Sequence, residues 1–404
     1  TTRLVGSEMC IRDSDTTFYL ICSNIKDFKF INEIFGMEKG NQVLIKQAKL
    51  MASNPSERTI CARLMNDRFA LCLPREEFDE KRVADSIKEL QREFSGNSFH
   101  LHTYMGVYEI RDRDEAVSIM VDKANIAADT IKNNYDCCVA YYDEHLLEIS
   151  IEQRRLLGEF EPALQNDEFV MYLQPQVKRD GAAKGAEALV RWVHPSRGIL
   201  TPYAFIDILE NAGLIYKLDL YIWEKAAQKL AEWKEKGYGS YHISVNISTK
   251  DFYIIDIYET FTGLINKYGI AASNLHLEIT ETTLMTDFEK NMNIIHKLQG
   301  VGFRVEIDDF GSGYSSLNML KDISADVLKI DMGFLRKSEN EVKGQDILES
   351  IITLAGKIGM DVITEGVETK KQLDMLTMMG CHEFQGYYFS KPVPVSEFEE
   401  KYLV

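Results

Sequence analysis

Short apolar runs recur through the C-terminal part of the chain, and nearly all of them end in a polar residue. They occupy residues 169–174, 186–191, 242–246, 275–281, 303–309, 327–331, 361–365 and 383–388. Runs of this length, rich in β-branched and aromatic residues, predict strands. Stretches of helical period intervene at 218–236, 288–300 and 345–359. Strand alternating with helix predicts parallel strands, and eight such repeats over about 250 residues match the size of a β/α barrel. The N-terminal third differs. It predicts a strand over 16–22, a helix over 41–52, strands over 58–64 and 69–73 about a hairpin turn at 65–68, a helix over 80–93, a strand over 99–108 and a helix over 115–133. This mixed α/β block closes near residue 145. The charged stretch 148–164 then reads as linker and first helix of the next domain.

The resulting fold class is α/β: a TIM-like barrel preceded by a smaller mixed α/β domain. The expected divisions are a non-native or disordered tail over 1–14, a first domain over 15–146 that is N-terminally truncated, a linker helix over 147–166 and the barrel over 167–404.

Composition narrows the function classes. The 404 residues carry a formal net charge of −17, which opposes nonspecific attraction to a nucleic-acid polymer or an anionic membrane. A phosphate-ester substrate would need local positive charge, from a metal or from placed Arg and Lys. The seven cysteines show no C-x-x-C spacing and sit mostly in apolar stretches, as expected of free thiols in a reducing cytoplasm. No apolar run reaches the roughly 18 residues of a membrane span, and no signal-peptide pattern opens the chain. Any membrane tether is expected in a segment upstream.

Candidate chemistry gathers at the expected strand ends: Glu187, Asn246, Glu278, Asp308, Asp309, Lys329 and Glu365. In a β/α barrel these ends form the functional face. Several carboxylates converging on one rim repel each other unless cations lie between them. Oxygen ligands from Asp, Glu and Asn favour Mg²⁺ or Mn²⁺ over zinc. Taken singly, each residue has a plain alternative. Asp308-Asp309 reads equally as a turn cap, Glu187 as a surface strand residue, Asn246 as a loop cap, Lys329 as a solvated rim lysine and Glu365-Gly366 as an ordinary turn. His194-Pro195 is read as structural.

Glu187-Ala188-Leu189-Val190-Arg191-Trp192 resembles the signature of EAL-domain cyclic di-GMP phosphodiesterases. So do Ser244-Val245-Asn246-Ile247-Ser248, Glu278-Ile279-Thr280-Glu281, Asp308-Asp309-Phe310-Gly311-Ser312-Gly313, Leu328-Lys329-Ile330-Asp331, Glu365-Gly366-Val367-Glu368 and Gln385-Gly386-Tyr387. The motifs stand in family order over the whole C-terminal domain. The resemblance implies hydrolysis of cyclic di-GMP to linear pGpG in bacterial second-messenger signalling, with two Mg²⁺ or Mn²⁺ ions per site. It assigns the metals to Glu187, Asn246, Glu278, Asp308 and Asp309, and the attacking water to Lys329 and Glu365. Gln174 and Arg191 would contact the dinucleotide. Gln385 would complete the water and metal environment, and Glu281 would steady the loop from Asp309 to Ser316. A homodimer through the barrel domain is also implied. Leu173 and Glu306 depart from the family pattern, Glu306 standing where a small or apolar residue is usual.

Asn24-Ile25-Lys26-Asp27-Phe28-Lys29-Phe30-Ile31-Asn32-Glu33, with Phe35-Gly36 and Gly40-Asn41, resembles a GGDEF diguanylate cyclase domain. The chemistry is degenerate. The signature hairpin reads Met65-Asn66-Asp67-Arg68, so side chains replace two glycines and Arg68 replaces a metal-binding acid. Asn24 stands at the expected metal Asp, and Lys26 at the strand's other acid. An active cyclase is therefore opposed, binding of GTP is not expected, and the domain reads as structural or regulatory. The rival for the barrel is a non-catalytic cyclic di-GMP receptor or scaffold. It leaves Glu187, Asp308, Lys329 and Glu365 unexplained.

Overall fold

Alternation within the first apolar run sets the N-terminal unit. The computed structural model describes residues 16–26, 28–52, 58–94, 101–132, 134, 137–310, 323–333 and 341–403, and divides the chain into two compact units at Arg155 and Leu156. In the first unit β1 (Phe18–Ile25) lies at the centre of a five-stranded sheet with β2 (Ile60–Arg63), β3 (Phe69–Pro74), β4 (Thr103–Glu109) and β5 (Val139–Tyr141). The strand order is β2-β3-β1-β4-β5. Only β4 and β5 run parallel; the other neighbours are antiparallel. Period two sends Tyr19, Ile21 and Ile25 to one face, against helices Phe28–Met51 and Glu80–Phe94. It sends Phe18, Leu20 and Cys22 to the other face, against helix Val117–Thr130. There a Cβ on Gly106 would lie 1.8 Å from the Ala124 carbonyl oxygen, so only glycine lets helix and strand approach this closely. The helix predicted from residue 41 begins earlier, at Phe28, and is kinked at Gly36, whose φ of 81° is left-handed.

The second unit begins within helix Glu144–Gln165, which leads into β6 (Phe169–Lys178), β7 (Ala183–His194) and the short β8 (Gly198–Leu200). Then follow β9 (His242–Ile247), β10 (Leu275–Thr280), β11 (Val305–Phe310), β12 (Val327–Asp331), β13 (Asp361–Glu365), β14 (Glu383–Phe384) and β15 (Val393–Pro394). Strands β7, β9, β10, β11, β12, β13 and β14 are successive parallel neighbours, and β6 closes the ring between β14 and β7. All eight predicted runs are thus barrel strands. One expectation is corrected: β6 is antiparallel to both its neighbours in the ring. Residues 179–182 are too few for a parallel crossover, which needs a dozen or more. They make a tight turn instead, with Gly181 at φ 85° and Asp180 accepting from the Ala182 N–H. The last strand is also shorter than read, because the chain turns away after Phe384.

Helices Ile215–Glu235, Ile257–Tyr268, Phe288–Val301, Glu341–Lys357 and Lys370–Met378 lie between the strands. Their apolar stripes join the strands in one continuous core, in which Trp192, Trp223, Trp233, Phe261 and Phe384 are fully buried. The described cysteines, Cys22, Cys61, Cys72, Cys137, Cys138 and Cys381, are free. No described helix is long and apolar enough to cross a membrane.

Candidate active site

Inward positions of the barrel strands recur every second residue, so polar side chains at those positions meet in the interior. Lys329, in the middle of β12, is fully buried. Its Nζ lies 2.7 Å from Glu278 Oε2, 2.6 Å from Glu365 Oε1, 3.3 Å from Glu187 Oε2 and 3.4 Å from Asp308 Oδ1. Five strands thus bring four carboxylates and one ammonium together. The reading of Lys329 as a solvated rim residue is excluded. Glu187 and Lys329 also lie deeper than strand ends, Glu187 being mid-strand in β7.

Amide groups complete the cluster. Asn246 Nδ2 donates to Glu187 Oε1 at 3.1 Å, and Trp223 Nε1 donates to the Asn246 carbonyl at 2.9 Å. Gln385 Nε2 donates to Glu187 Oε2 and, at 3.3 Å, to Gln174 Oε1. Gly386 makes this possible, since a Cβ there would lie 2.2 Å from the Val367 carbonyl oxygen. Asp308 and Asp309 sit at a register shift between β11 and β12, and Asp309 has a left-handed φ of 55°. Regular alternation would turn consecutive residues to opposite faces. The shift instead leaves both acids within the reach of the Lys329 charge.

The electrostatics follow from burial and sharing. Burial opposes the charge on Lys329, but Asp308, Glu187, Glu278 and Glu365 outweigh it and hold its pKa well above the ordinary value. Burial also opposes ionisation of Glu187, yet Lys329, Gln385 and Asn246 pull its pKa below the carboxylate range. Glu278 goes the other way: burial, with the adjacent Glu187 charge, raises it well above that range. Burial, reinforced by Asp308 and Glu187, pushes Glu365 up to about 8. Asp309 is raised by burial and by the charges of Asp308 and Asp331. Asp331, at the end of β12 opposite Glu365, is an acid of this face that motif reading passed over, although it closes the Leu328–Asp331 motif.

The residues fit divalent cations. Four carboxylates share one ammonium, and Glu278 Oε1 is a buried oxygen without a hydrogen-bond partner among the described residues. An oxygen-rich set that is deficient in positive charge suits hard ions.

Other candidates lie apart from the cluster. The Arg191 guanidinium stands 5.4 Å over the Tyr172 ring and donates to the Val190 carbonyl. Glu281 opens helix Glu281–Thr286, and residues 311–316 of the loop it was expected to steady lie outside the described residues. His194 pairs with Glu159 at 2.9 Å, away from the cluster. In the N-terminal unit Asn24 Nδ2 donates to the Tyr104 hydroxyl at 2.9 Å, and Asp67 accepts the Ile25 N–H at 3.1 Å. The turn Met65-Asn66-Asp67-Arg68 closes with the Arg68 N–H on the Met65 carbonyl, Asn66 taking a left-handed φ of 56°.

Comparisons with known proteins bear on the family and the fold. Residues 158–392 match the family model described as EAL domain, and residues 6–136 that of the diguanylate cyclase, GGDEF domain. The chain is 30% identical over 400 residues to the bifunctional diguanylate cyclase/cyclic di-GMP phosphodiesterase MucR of Pseudomonas aeruginosa, covering 96% of this chain and 58% of that protein. It is 27% identical over 383 residues to the cyclic di-GMP phosphodiesterase PdeR of Escherichia coli, covering 94% and 58%. The chain spans about half the length of the curated relatives it matches. Among solved structures, "PaMucR Phosphodiesterase, c-di-GMP complex" is 33% identical with a TM-score of 0.58, covering 60% of this chain and 99% of that one. An EAL domain protein from Listeria monocytogenes is 29% identical with a TM-score of 0.52, covering 61% and 97%. With residues 158–392 matched to its model and a GGDEF match ahead of them, the chain belongs to the EAL domain family, in tandem GGDEF–EAL arrangement.

Proposed function

We propose that the barrel hydrolyses cyclic di-GMP to linear pGpG with two bound Mg²⁺ or Mn²⁺ ions. The observation that carries this reading is the Lys329 ammonium in contact with Glu187, Glu278, Asp308 and Glu365, with Glu278 Oε1 left unpartnered among the described residues. The relatives named above as cyclic di-GMP phosphodiesterases support the substrate. Glu187, Asn246, Glu278 and Asp308 would hold the first ion, and Asp308 with Asp309 the second. When bound, the ions supply Lewis acidity toward the phosphodiester and lower the pKa of water toward neutrality.

The chain's own groups supply the rest. Gln385 and Asn246 fix the Glu187 carboxylate from two sides. Lys329 donates a hydrogen bond to the incoming water, and the Glu365 carboxylate takes its proton. Water adds to phosphorus, the P–O3′ bond breaks, and the freed 3′-oxygen leaves as a hydroxyl by taking up the proton that the water gave to Glu365, giving pGpG. Gln174 and Arg191 would contact the dinucleotide, Arg191 through the phosphate-matching geometry of its guanidinium. Glu281 would order the loop that follows Asp309.

The GGDEF-like unit is assigned a structural or regulatory role without cyclase activity. Asn24 is a neutral amide that donates to the Tyr104 hydroxyl and accepts from the Ile25 N–H, and the hairpin carries Met65, Asn66 and Arg68 where glycines and an acid are required. A cytoplasmic setting and a homodimer through the barrel complete the proposal. The test is turnover by the purified chain with each metal. Conversion of cyclic di-GMP to pGpG that requires metal and is lost in Glu187→Ala supports the reading; binding without turnover under both metals replaces it with the receptor.

A further inference from the structure

The opposite mouth of the barrel holds a second set of ligand side chains that the proposed reaction does not use. His242 opens β9, His276 is the second residue of β10, and Glu306 is the second of β11. They are 9%, 4% and 0% exposed. His276 and Glu306 lie two residues before Glu278 and Asp308, so they form an inward layer on the far side of the Lys329 cluster. One donor atom from each of His242, His276 and Glu306 lies within 4.8 Å of the other two.

Each ring of the pair has a hydrogen-bond partner at Nε2. His242 Nε2 stands 2.7 Å from Gln176 Oε1, and His276 Nε2 stands 3.2 Å from the Ser273 carbonyl oxygen. With the Gln176 Oε1 and the Ser273 carbonyl accepting, each Nε2 donates to its partner and each Nδ1 keeps a lone pair. His276 Nδ1 then meets Glu306 Oε1 at 2.6 Å, a contact that needs a positive charge between two acceptors. A proton meets that need and makes a buried ion pair. It leaves Glu306 Oε2, fully buried, without a hydrogen-bond partner among the described residues. A metal ion would use all three donors.

We propose that His242, His276 and Glu306 bind one divalent transition-metal ion of the zinc class at this mouth of the barrel. Two imidazoles and one carboxylate are a zinc-type donor set with a fourth position for water, and nitrogen donors disfavour Mg²⁺. A cavity of about 470 Å³, lined by Lys184, Tyr241, Arg304 and the three ligands among others, gives the ion and that water a path. Gln176 and the Ser273 carbonyl act as outer partners that fix the imidazole tautomers. Bonds of about 2.0–2.2 Å place donors roughly 3.4 Å apart, so His242 must close in by up to about 1.4 Å while His276 Nδ1 and Glu306 Oε1, now 2.6 Å apart, open by about 0.8 Å. The rings now stack at 3.8 Å and 4°, and the closing motion turns His242 out of that stack. Gly185 leaves room for this ring; a Cβ there would lie 2.4 Å from it.

The test is a Co²⁺ titration of the full chain in excess Mg²⁺, which occupies the oxygen-rich face. The expected result is one equivalent of Co²⁺ with visible bands of four-coordinate character, displaced by Zn²⁺ and retained in Glu187→Gln. Glu306→Gln and His242→Gln abolish the bands, and Gln176→Ala weakens binding about 10–100-fold. Should those substitutions unfold the chain, X-ray absorption of the zinc-loaded unsubstituted protein decides, two imidazole ligands being expected. The proposal is overturned if no four-coordinate bands form, if they survive in folded Glu306→Gln, if Glu187→Gln removes them, or if absorption shows fewer than two imidazoles.

Discussion

Lys329 and Glu278 meet at 2.7 Å inside the barrel, and neither side chain reaches solvent. Burying an ammonium and a carboxylate together is costly, and the pair is tolerated because three further carboxylates surround the same nitrogen. Lys329→Met removes the only cation among the contacts described for this cluster. Metal-free protein carrying it is expected to lose about 3–5 kcal/mol of stability, the cost of orphaning buried charge. Turnover should fall by about 10²–10⁴-fold, as for loss of a group that handles the reacting proton. Urea unfolding with chelator and a turnover assay check both; unchanged turnover would remove Lys329 from the reaction.

Glu365 gives a pH signature to the metal-free protein. Burial, with Asp308 and Glu187, lifts its carboxyl from the ordinary value of 4.5 to about 8. Between those values the folded chain holds a proton that the unfolded chain has lost. Stability is therefore full below about 4.5 and is lost as pH rises toward 8, by at most about 1.4 kcal/mol per pH unit for one proton. Glu278 is raised too and acts in the same direction, whereas the lowered Glu187 acts only below its ordinary range. Unfolding at pH 5, 6.5 and 8 with chelator should show the decline, and Glu365→Gln should reduce it. A decline that Glu365→Gln leaves intact would assign it to other groups.

Gly386→Ala tests whether Gln385 matters through its backbone. The added Cβ would meet the Val367 carbonyl oxygen at 2.2 Å and its nitrogen at 2.4 Å. The chain must shift, at a cost of about 1–3 kcal/mol, and Gln385 loses its hold on Glu187. Turnover is expected to drop at least about tenfold with the protein still folded at 25 °C. Gly380→Ala, at φ 92° with open space around it, is the control: it is strained but should keep full turnover.

The GGDEF-like unit should make no cyclic di-GMP from GTP with Mg²⁺ or Mn²⁺. Restoring one acid, Asn24→Asp, should not create synthesis, because Arg68 still occupies the hairpin. Product analysis by chromatography settles this, and any synthesis by the unsubstituted chain would reverse the assignment.

The barrel was legible because each strand is a short apolar run closed by a polar residue, and the spacing of acids, amide and lysine follows those runs. Its direction at β6 was not. Periodicity reports that a run is a strand, but direction depends on the four residues 179–182, whose turn chemistry decides it. Depth was also hidden. Lys329 reads from sequence as a rim residue, and only the convergence of β7, β10, β11 and β13 upon it explains how a lysine is fully enclosed. The layer of His242, His276 and Glu306 escaped for a related reason: its members come from different strands, with no common spacing to mark them. In the N-terminal unit Gly36 interrupts the helical pattern, which hid the first turns of the helix from Phe28.

The reversed direction of β6 has a consequence for how the chain is threaded. Phe169, its first residue, stands opposite Trp192 near the far end of β7, so the polypeptide arrives from the side on which the acids lie. The helix ending at Gln165 therefore hands over beside the mouth where a dinucleotide would enter.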